Sequence, residues 1–399
     1  MDLNFLSSTH ELVAKTRTFV AEQVSPVEET HRGIAPDGDH WRLELQQAAR
    51  TAGVFGPHLP LEYGGHDLNM VERAPVFEEA GYSLFGPIAV NCAAPDEGNQ
   101  HLLGHVGTAV QQQRFLAPLA RGELRSAFAM TEPTPGAGSD PRALQTRAIR
   151  TSGGWLIQGR KMFITGADGA GFMIVMARTS RDAGDAQGGT MFLVPADAPG
   201  LRIIRHIPTM DKSMAGGHCE LVFENCEVPE EAVLGAVDEG FAYAQVRLGP
   251  ARMTHCMRWL GTARRAQDIA IAYAIDRRMF RSRLSDLGMA QQMIADSEID
   301  IAASRALIVR ACWELDQGQP AADATSIAKT FVAEAVGRIV DRAVQICGGL
   351  GVSEDLPLAR IYREVRPFRI YDGPSEVHRW ALAKRAATRV RTATKPSSS

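Results

Sequence analysis

A single carboxylate near the C-terminal end of the chain has the surroundings expected of a catalytic base. Asp372 lies in the segment RIYDGPSEVH, where Asp-Gly-Pro predicts a tight turn at the start of a helix. The turn would fix the Asp372 side chain and could direct its backbone N–H toward the same small volume. One residue could then supply both a general base and a donor to an oxyanion. An ordinary helix-capping Asp has the same pattern, so both interpretations stay open on this segment alone.

A loop of small residues and a β-prone segment could together hold a flat ring and a phosphate chain. The loop, MTEPTPGAGSD, begins with Met130 and Thr131 and contains Ser139. The segment KMFIT carries Phe163, which could stack on a ring, and Thr165, whose hydroxyl could hydrogen-bond to a ring nitrogen. A plain surface loop and a Phe packed in a core would leave the same pattern. A cofactor site is therefore a hypothesis that depends on the rest of the chain.

Three further patterns also allow a functional and an ordinary interpretation. His101 and His105 are spaced to bind a metal on a helix, but no third ligand is evident and no metal site is predicted. Arg252, near the start of a long helical pattern, could bind an anion or face solvent. The segment QICGGLG from Gln345 to Gly351 is typical of a glycine C-cap. No strand-GxGxxG-helix unit is visible, and no nucleophile with an adjacent base.

Composition and charge exclude several classes of function. The 399 residues contain 43 Lys and Arg against 46 Asp and Glu, a formal net charge of −3, without a long basic block. This balance argues against nucleic-acid and membrane-surface binding. The six cysteines include no C-x-x-C pair, so neither a zinc site nor a disulfide scaffold is expected. Because no signal peptide, membrane span or peroxisomal ending is recognised, the sequence predicts a cytoplasmic protein that acts on a small molecule.

The hydrophobic periodicity changes twice and divides the chain into helix, sheet and helix, which predicts an α+β fold. Residues 1–125 have apolar residues at helical spacing, and residues 126–238 contain short β-prone runs separated by Gly and Pro. The β region predicts an antiparallel barrel or sandwich. Residues 239–399 return to long helical patterns and end in a polar tail. Their helices, near 240–279, 288–317, 320–347 and 374–391, predict a four-helix bundle.

In this order the motifs resemble those of the acyl-CoA dehydrogenase family, over about residues 10–390. The motifs are MTEP followed by GAGSD, then GRKMFIT, DRRMF, Q-x-x-GG and YDG, the last four beginning at Gly159, Asp276, Gln345 and Tyr371. The resemblance implies an N-terminal helical domain, a middle antiparallel β-barrel and a C-terminal four-helix bundle. It also implies FAD as the cofactor, an acyl-CoA thioester as the substrate, and a homodimer or homotetramer.

The resemblance also assigns roles to single residues. Asp372 would be the catalytic base, and the residues expected to contact the acyl-CoA are Ser139, Arg252, Tyr371 and Gly373. Phe163 would lie against the flavin, and Thr165 would hydrogen-bond near its N5 atom. The other positions expected to contact FAD are Met130, Thr131, Arg277, Phe280, Gln345, Gly348, Gly349 and Glu376. Five of these would bind the FAD of a neighbouring subunit: Arg277, Phe280, Gln345, Gly348 and Gly349.

A narrower resemblance points to the branch whose members occur fused to kinase-like domains and process 4-hydroxyacyl-CoAs. The segments that carry it are NCAAPDEGN, GGH, HCMR and DGPSEVH, which begin at Asn91, Gly216, His255 and Asp372. In that branch an aspartate replaces the usual glutamate base. Some positions depart from the common family pattern. Thr134 and Pro135 interrupt the MTEP loop, Gly288 stands where many members have a glutamine for FAD, and Ala251 where others have an alternative base.

The implied reaction is the α,β-dehydrogenation of an acyl-CoA thioester. Asp372 would remove the α-proton while its N–H and a flavin hydroxyl hold the thioester carbonyl, and the β-hydride would pass to flavin N5. Electrons would leave to an electron-transferring flavoprotein. A polar partner for a 4-oxygen is expected among His218, His255 and Arg258. The alternatives are a nitroalkane-oxidase-type enzyme using the same Asp, a DNA-associated relative, which the composition disfavours, and a non-catalytic family member.

Overall fold

The computed structural model of the protein describes residues 7–180 and 188–393. These residues group into two units, one that ends at Ala251 and one that begins at Arg252. The first unit contains the N-terminal helices and the sheet, and the second consists mainly of long helices. The polar tail expected at residues 395–399 lies outside the described residues. Within the described ranges, no helix combines the length and apolar character needed to cross a lipid bilayer.

The N-terminal part of the first unit is helical, as predicted. Its helices are α1 Ser7–Phe19, α2 Ser25–Thr30, α3 His40–Ala52, α4 Met70–Ala80, α5 Gly86–Ala89, α6 Asp96–Val106, α7 Ala109–Gln111 and α8 Ala117–Ala120. Local sequence explains where they begin and end. α4 starts with a capping box in which Asn69 and Glu72 exchange side chain–backbone hydrogen bonds. α3 ends at Gly53, whose φ of +69° is the left-handed conformation that glycine adopts at no steric cost.

The middle part of the chain forms one open sheet. Its strands are β1 Arg125–Ala129, β2 Arg147–Thr151, β3 Gly154–Thr165, β4 Ala170–Arg178, β5 Gly189–Pro195, β6 Leu201–His206, β7 His218–Val228 and β8 Val233–Leu234. The strand order is β6-β7-β3-β2-β4-β5-β8, and β1 pairs with β4. The predicted antiparallel barrel is not confirmed, because the described strands do not close on themselves. The sheet is also mixed, since β1 and β2 each pair with β4 in parallel.

One face of this sheet is covered by apolar side chains. β4 and β5 are almost continuously buried, and Trp155 and Phe192 meet edge to face with ring centroids 5.6 Å apart. β3 and β7 contribute Ile157, Leu221 and Phe223 to the same core. β3 alternates between buried and exposed residues, and its charged Lys161 is fully buried, which requires a partner.

The second unit contains the long helices that the sequence predicted. α9 Gly240–Asp276 extends into it from the first unit and is followed by the hairpin of β9 Arg278–Met279 and β10 Ser282–Arg283. The remaining helices are α10 Gly288–Asp316, α11 Ala322–Cys347, α12 Leu358–Val365 and α13 Ser375–Ala393. Asp300 of α10 forms ion pairs with two arginines of α11, Arg338 (2.6 Å) and Arg342 (2.8 Å). The four-helix bundle remains a prediction, as do the domain limits at residues 125 and 238.

Candidate active site

The strand that carries Phe163 and Thr165 is irregular at the aromatic residue. β3 pairs with β7 in a register that shifts between Lys161 and Ile164, and Phe163 inside this bulge has a φ of +58°. A β-bulge points a side chain in a direction that regular alternation would not give it. Phe163 is 50% exposed, whereas Ile164 next to it is buried. β3 therefore presents an aromatic ring to solvent two residues before Thr165.

The loop that begins at Met130 is hydrogen-bonded to the same strand. The carbonyl of Thr131 accepts from the backbone N–H of Met162 (2.9 Å), and Lys161 Nζ donates to the carbonyl of Met130 (3.1 Å). Lys161 Nζ also donates to Glu132 Oε1 (2.8 Å), and these two side chains are only 0% and 1% exposed. The structure thus brings together the loop and the strand that the sequence predicted to bind a cofactor.

Glu132 accepts four hydrogen bonds, which explains how its charge is tolerated in the interior. Besides Lys161, the donors are the backbone N–H groups of Ala137 (3.0 Å), Gln145 (2.7 Å) and Thr146 (2.8 Å). Burial alone would raise the pKa of Glu132, but Lys161 and these donors hold it below its usual value. Burial lowers the pKa of Lys161 to about 8. Sequence reasoning missed this pair, because Lys161 follows the exposed Arg160 in β3 and nothing local indicates that it is buried.

The two residues that interrupt the loop, Thr134 and Pro135, form a turn of their own. Gly136 N donates to the carbonyl three residues earlier (2.8 Å), and Glu132 N donates to the carbonyl of Ala137 (2.7 Å), which closes the turn at its base. Both inserted residues are exposed. The insertion therefore leaves intact the hydrogen bonds that join the start of the loop to β3.

Thr165 is hydrogen-bonded to a histidine–aspartate pair. Thr165 and His218 are paired across β3 and β7, and Thr165 Oγ1 lies 2.9 Å from His218 Nδ1. His218 Nε2 lies 2.7 Å from Asp211 Oδ2. The side chains of His218 and Asp211 are 14% and 11% exposed. Because both ring nitrogens of His218 are engaged in this way, neither is left for a 4-oxygen of the substrate, the role for which the sequence had suggested this residue.

A buried arginine fixes the backbone of the loops that flank this pair. Arg125 Nη1 donates to the carbonyls of Gly166 (3.1 Å) and Ala215 (3.3 Å), and Nη2 donates to the carbonyl of Asp168 (2.7 Å). Its Nε forms an ion pair with Asp39 Oδ1 (2.8 Å). One side chain therefore holds the turn that follows Thr165 and the loop that precedes His218.

In the second unit, Asp372 adopts the left-handed backbone conformation in the turn before α13. Its φ is +54°, and that of Gly373 is +97°. A Cβ atom at Gly373 would lie 2.7 Å from His378 Nε2. Position 373 therefore needs glycine because of its positive φ and because a side chain would clash with His378. Residues other than Gly, Asn and Asp adopt the left-handed conformation at a cost of roughly 1–2 kcal/mol. Non-glycine residues in the left-handed conformation are concentrated at functional sites.

Three side chains with nitrogen donors hold the backbone of this turn. Arg252 Nε donates to the carbonyl of Asp372 (3.0 Å), and His378 Nε2 lies 3.3 Å from the same oxygen. Lys329 Nζ donates to two carbonyls of the segment, that of Gly373 among them, at 2.8 Å each. Burial lowers the pKa of Lys329 to about 8. Arg252, which was expected to contact CoA, is thus bonded to the main chain of the expected base.

The ring of His255 lies against the carboxyl group of Asp372. His255 Nε2 is 3.2 Å from Asp372 Oδ2, and the two side chains are 9% and 17% exposed. The imidazole packs beside Tyr371 and Phe368, with ring centroids 4.9 Å and 6.1 Å away. The indole N–H of Trp259 donates to the hydroxyl of Tyr371. Sequence reasoning had singled out His255, but its closeness to Asp372 could not be read from residues so far apart in the chain.

The other residues assigned to cofactor or substrate are on the surface. Phe280, in the β9–β10 hairpin, has a φ of +49° and is 87% exposed. The other residues of the second unit that were assigned to the cofactor are exposed too. They are Arg277, Gln345, Gly348, Gly349 and Glu376. Ser139 of the first unit is exposed as well. All of them are accessible to a ligand or to another subunit.

Three family models match the chain, and together they cover most of it. The N-terminal, middle and C-terminal domains of acyl-CoA dehydrogenases match residues 7–123, 127–226 and 238–387. The chain is 38% identical to "Probable acyl-CoA dehydrogenase FadE2" of Mycobacterium tuberculosis, over 97% of this chain and 98% of that protein. It is 35% identical to acyl-CoA dehydrogenase family member 11 of Mus musculus, over 94% of this chain but 50% of that protein. The chain thus spans half the length of this second relative.

A solved structure agrees with these matches. Butyryl-CoA dehydrogenase from Megasphaera elsdenii superposes with a TM-score of 0.87 and 29% identity, covering 97% of this chain and 100% of that one. The architecture is common to both, with an N-terminal helical domain, a middle β domain and a C-terminal helical domain. The chain therefore belongs to the acyl-CoA dehydrogenase family, FAD-dependent oxidoreductases that act on a CH–CH bond of acyl-CoA thioesters.

Proposed function

We propose that this protein oxidises the Cα–Cβ bond of an acyl-CoA with Asp372 as the base, and that its preferred acyl chain carries an oxygen at C4. The turn that holds Asp372 supports the first part of the proposal. Its backbone is left-handed at two consecutive residues, and Arg252, His378 and Lys329 donate to its carbonyls. A structural aspartate at a helix start would not need such an arrangement, whereas a base must be held in one position relative to the α-carbon.

The first unit has the features that a flavin needs. Phe163 offers half of its surface to a ring, Thr165 offers a hydroxyl, and the Met130 loop is held against the same strand by Lys161. We assign Met130, Thr131, Phe163 and Thr165 to the flavin of the same subunit. Bound FAD supplies the acceptor for the hydride that leaves the β-carbon.

The residues around Asp372 would carry out the proton step. An Asp372 carboxylate oxygen takes the α-proton, and the electrons of that C–H bond become the new Cα=Cβ π bond as the β-hydride departs with its own electron pair. Charge that develops on the thioester oxygen is stabilised by the N–H of Asp372. The products are an α,β-unsaturated thioester and protonated Asp372. Arg252 positions the base through its main chain with Nε, and the contact with CoA that the resemblance implies would fall to the rest of its guanidinium group.

The preference for a 4-oxygen rests on His255. The oxygen of such a chain is three bonds from the carbon that Asp372 deprotonates, and His255 is one hydrogen-bond distance from the Asp372 carboxylate. Tyr371, Phe368 and limited exposure keep the imidazole largely out of water. A polar ring in such surroundings favours a substrate group that can hydrogen-bond to it, and it disfavours a plain methylene. The oxygen would be a free hydroxyl or a phosphorylated one.

The proposed reaction is tested by anaerobic bleaching of the bound flavin. The purified protein, loaded with FAD, is mixed with a panel of acyl-CoAs and, separately, with a nitroalkane. We expect bleaching by acyl-CoAs alone. Bleaching by the nitroalkane alone would assign the protein to the oxidase alternative. If no compound bleaches the flavin, the protein is the non-catalytic family member of the third alternative.

The preference for the 4-oxygen is tested by a ratio of two specificity constants. We expect kcat/KM for a 4-hydroxyacyl-CoA to exceed that for the unsubstituted chain of equal length by tenfold or more. His255→Phe should bring this ratio close to one. A general loss of base function would slow both substrates equally, so it would not change the ratio. Cys256→Ala, a change at the adjacent buried residue, is the matched control and should keep the ratio. A plain chain that reacts tenfold faster in the parent protein would contradict the preference.

The proposal extends to two partners. Five exposed positions, Arg277, Phe280, Gln345, Gly348 and Gly349, would bind the FAD of a neighbouring subunit, so the active particle would be a homodimer or a homotetramer. Its reduced flavin would pass electrons to an electron-transferring flavoprotein. Both partners are inferred from the family resemblance, and the exposure of these five residues is consistent with the first.

A further inference from the structure

Thr165, His218 and Asp211, called the relay below, form a continuous row of hydrogen bonds at the end of β3. Thr165 Oγ1 lies 2.9 Å from His218 Nδ1, and His218 Nε2 lies 2.7 Å from Asp211 Oδ2. The row begins at a residue assigned above to the flavin and ends at a carboxylate that is 11% exposed. A threonine that only had to contact a ring would not need this support.

The carboxylate at the end of the row determines the direction of its hydrogen bonds. Asp211 can only accept, so His218 Nε2 carries the hydrogen and donates it. In the neutral imidazole, Nδ1 is then an acceptor, and the hydroxyl of Thr165 must donate its one hydrogen to it. Burial would raise the pKa of Asp211, but the hydrogen bond and charge of His218, together with Thr209 and a backbone donor, hold that pKa below its usual value. Thr165 Oγ1 is left with acceptor capacity only.

We propose that the relay makes Thr165 a hydrogen-bond acceptor for the flavin and thereby favours the reduced cofactor, with His218 as the positioning residue. This inference rests on the proposed function, which puts the flavin beside Thr165. The flavin nitrogen that gains a hydrogen on reduction can donate it to an acceptor, whereas the same nitrogen in oxidised flavin has no hydrogen to give. An oxygen that can only accept therefore stabilises one redox state of the two.

The backbone near His218 does not depend on the relay. Gly166 N donates to the carbonyl of Gly217 (2.8 Å), Ile207 N donates to that of His218 (2.7 Å), and Arg125 holds the carbonyl of Ala215. These bonds fix the loop through main-chain groups. A variant that loses the His218 imidazole should therefore keep the local fold and lose mainly the constraint on the Thr165 hydroxyl.

The test is the two-electron reduction potential of bound FAD, measured anaerobically against reference dyes at pH 8. We expect Thr165→Val and His218→Ala each to lower the reduction potential by about 30 mV. For a two-electron couple this is about a tenfold weaker preference for reduced over oxidised flavin. The double variant should match Thr165→Val alone, because without the hydroxyl there is nothing left for His218 to orient. His218→Asn, whose amide oxygen can replace Nδ1 as an acceptor, should stay near the parent potential.

Cys219→Ala is the matched control. Cys219 follows His218 on β7, is buried and contacts the carbonyl of Gly216, but it has no part in the relay. We expect its potential to equal that of the parent protein. If His218→Ala does not retain FAD, His218→Asn is compared with Thr165→Val instead. A reduction potential in His218→Asn as low as that in Thr165→Val would overturn the relay.

Two further results would overturn the relay while the proposed function stands. One is a His218→Ala potential that is unchanged or higher than that of the parent. The other is a double variant in which the two single shifts simply add. Failure of the proposed function is recognised separately, because the parent protein would then take up no FAD or show no bleaching by any acyl-CoA.

Discussion

At the scale of single residues, Asp372 can be deprived of its charge with little effect on its backbone. Asn tolerates the left-handed conformation about as well as Asp does, and it keeps the N–H assigned to the thioester oxygen. We expect Asp372→Asn to retain FAD and an unchanged unfolding midpoint while flavin reduction by acyl-CoA slows by about 10²–10⁴. Anaerobic stopped-flow absorbance measures the rate. Reduction within tenfold of the parent rate would mean that Asp372 is not the base.

Asp372→Glu serves as the geometric counterpart of this variant. It keeps the carboxylate but adds a methylene and puts a residue without special tolerance for positive φ into the turn. We expect partial activity and a stability loss of roughly 1 kcal/mol. A Glu variant as active and as stable as the parent would show that the backbone strain at position 372 has no bearing on the placement of the base.

His378 makes the turn sensitive to acid. Burial, followed by the positive charges of Arg252 and Lys329, lowers the pKa of His378 to about 4 from its ordinary 6.5. Between these two values the unfolded chain binds more protons than the folded one, so stability falls as the pH falls from about 6.5 to about 4. The loss at this residue is at most about 3 kcal/mol. We expect urea midpoints of His378→Gln to decline less over this window than those of the parent, and equal declines would contradict the assignment.

At the scale of elements, the connection between the Met130 loop and β3 depends on the buried Lys161–Glu132 pair. Removing one partner of such a pair leaves an uncompensated charge and typically costs about 3–5 kcal/mol. We expect Lys161→Met to lose this much stability and to release FAD more readily. Denaturant unfolding of the protein without FAD measures the first effect, and flavin fluorescence on dilution measures the second.

The exposed pair of Arg121 and Glu123 provides the comparison. Its side chains are 47% and 54% exposed, and pairs of this kind contribute about 0–1 kcal/mol. Arg121→Met should therefore change neither stability nor flavin release noticeably. If Lys161→Met and Arg121→Met lose similar amounts of stability, the effect of Lys161→Met comes from the loss of a charge in general. It would then not come from the burial of the Lys161–Glu132 pair.

Periodicity in the sequence predicted most elements correctly, because helices and buried strands have patterns that are local. The long helices near 288–317 and 320–347 are found at Gly288–Asp316 and Ala322–Cys347. The sheet was predicted less well. The pairing of β1 with β4 joins strands separated by more than thirty residues, and no local pattern specifies such a partner. The bulge at Phe163 also has no signal, since its cause is the register with β7.

At the scale of the whole molecule, the family resemblance and the exposed ring of Phe280 together predict that FAD is held by more than one subunit. In sedimentation velocity with detection at flavin absorbance, we expect the colour to move with a dimer or a larger particle, and never with a monomer. Phe280→Ser should lower the FAD content, because the ring is 87% exposed within one subunit and would be covered by the cofactor of another. Leu61→Ser, at another exposed apolar residue (72%), should leave the FAD content unchanged.

Motifs in the sequence predict residues that would touch substrate or flavin, but they give no signal for the two buried lysines that support those segments. Asp372, Phe163 and Thr165 lie in short segments whose spacing can be recognised. Lys161 and Lys329 could not be found in this way, because each acts through contacts with distant parts of the chain. A buried charge is costly unless it is paired, and its partner becomes visible only in the folded structure.

The positive φ of Asp372 has a genetic consequence. A single nucleotide change converts an aspartate codon into one for asparagine, glycine or glutamate. Asparagine and glycine fit the turn but carry no base, so either mutation would leave a folded, yellow protein that cannot start its reaction. Glutamate keeps the base but strains the turn. Silent, flavin-loaded descendants of this enzyme are therefore within one mutation of it, whereas descendants with a glutamate base would need a second change, one that relaxes the backbone, to recover full stability.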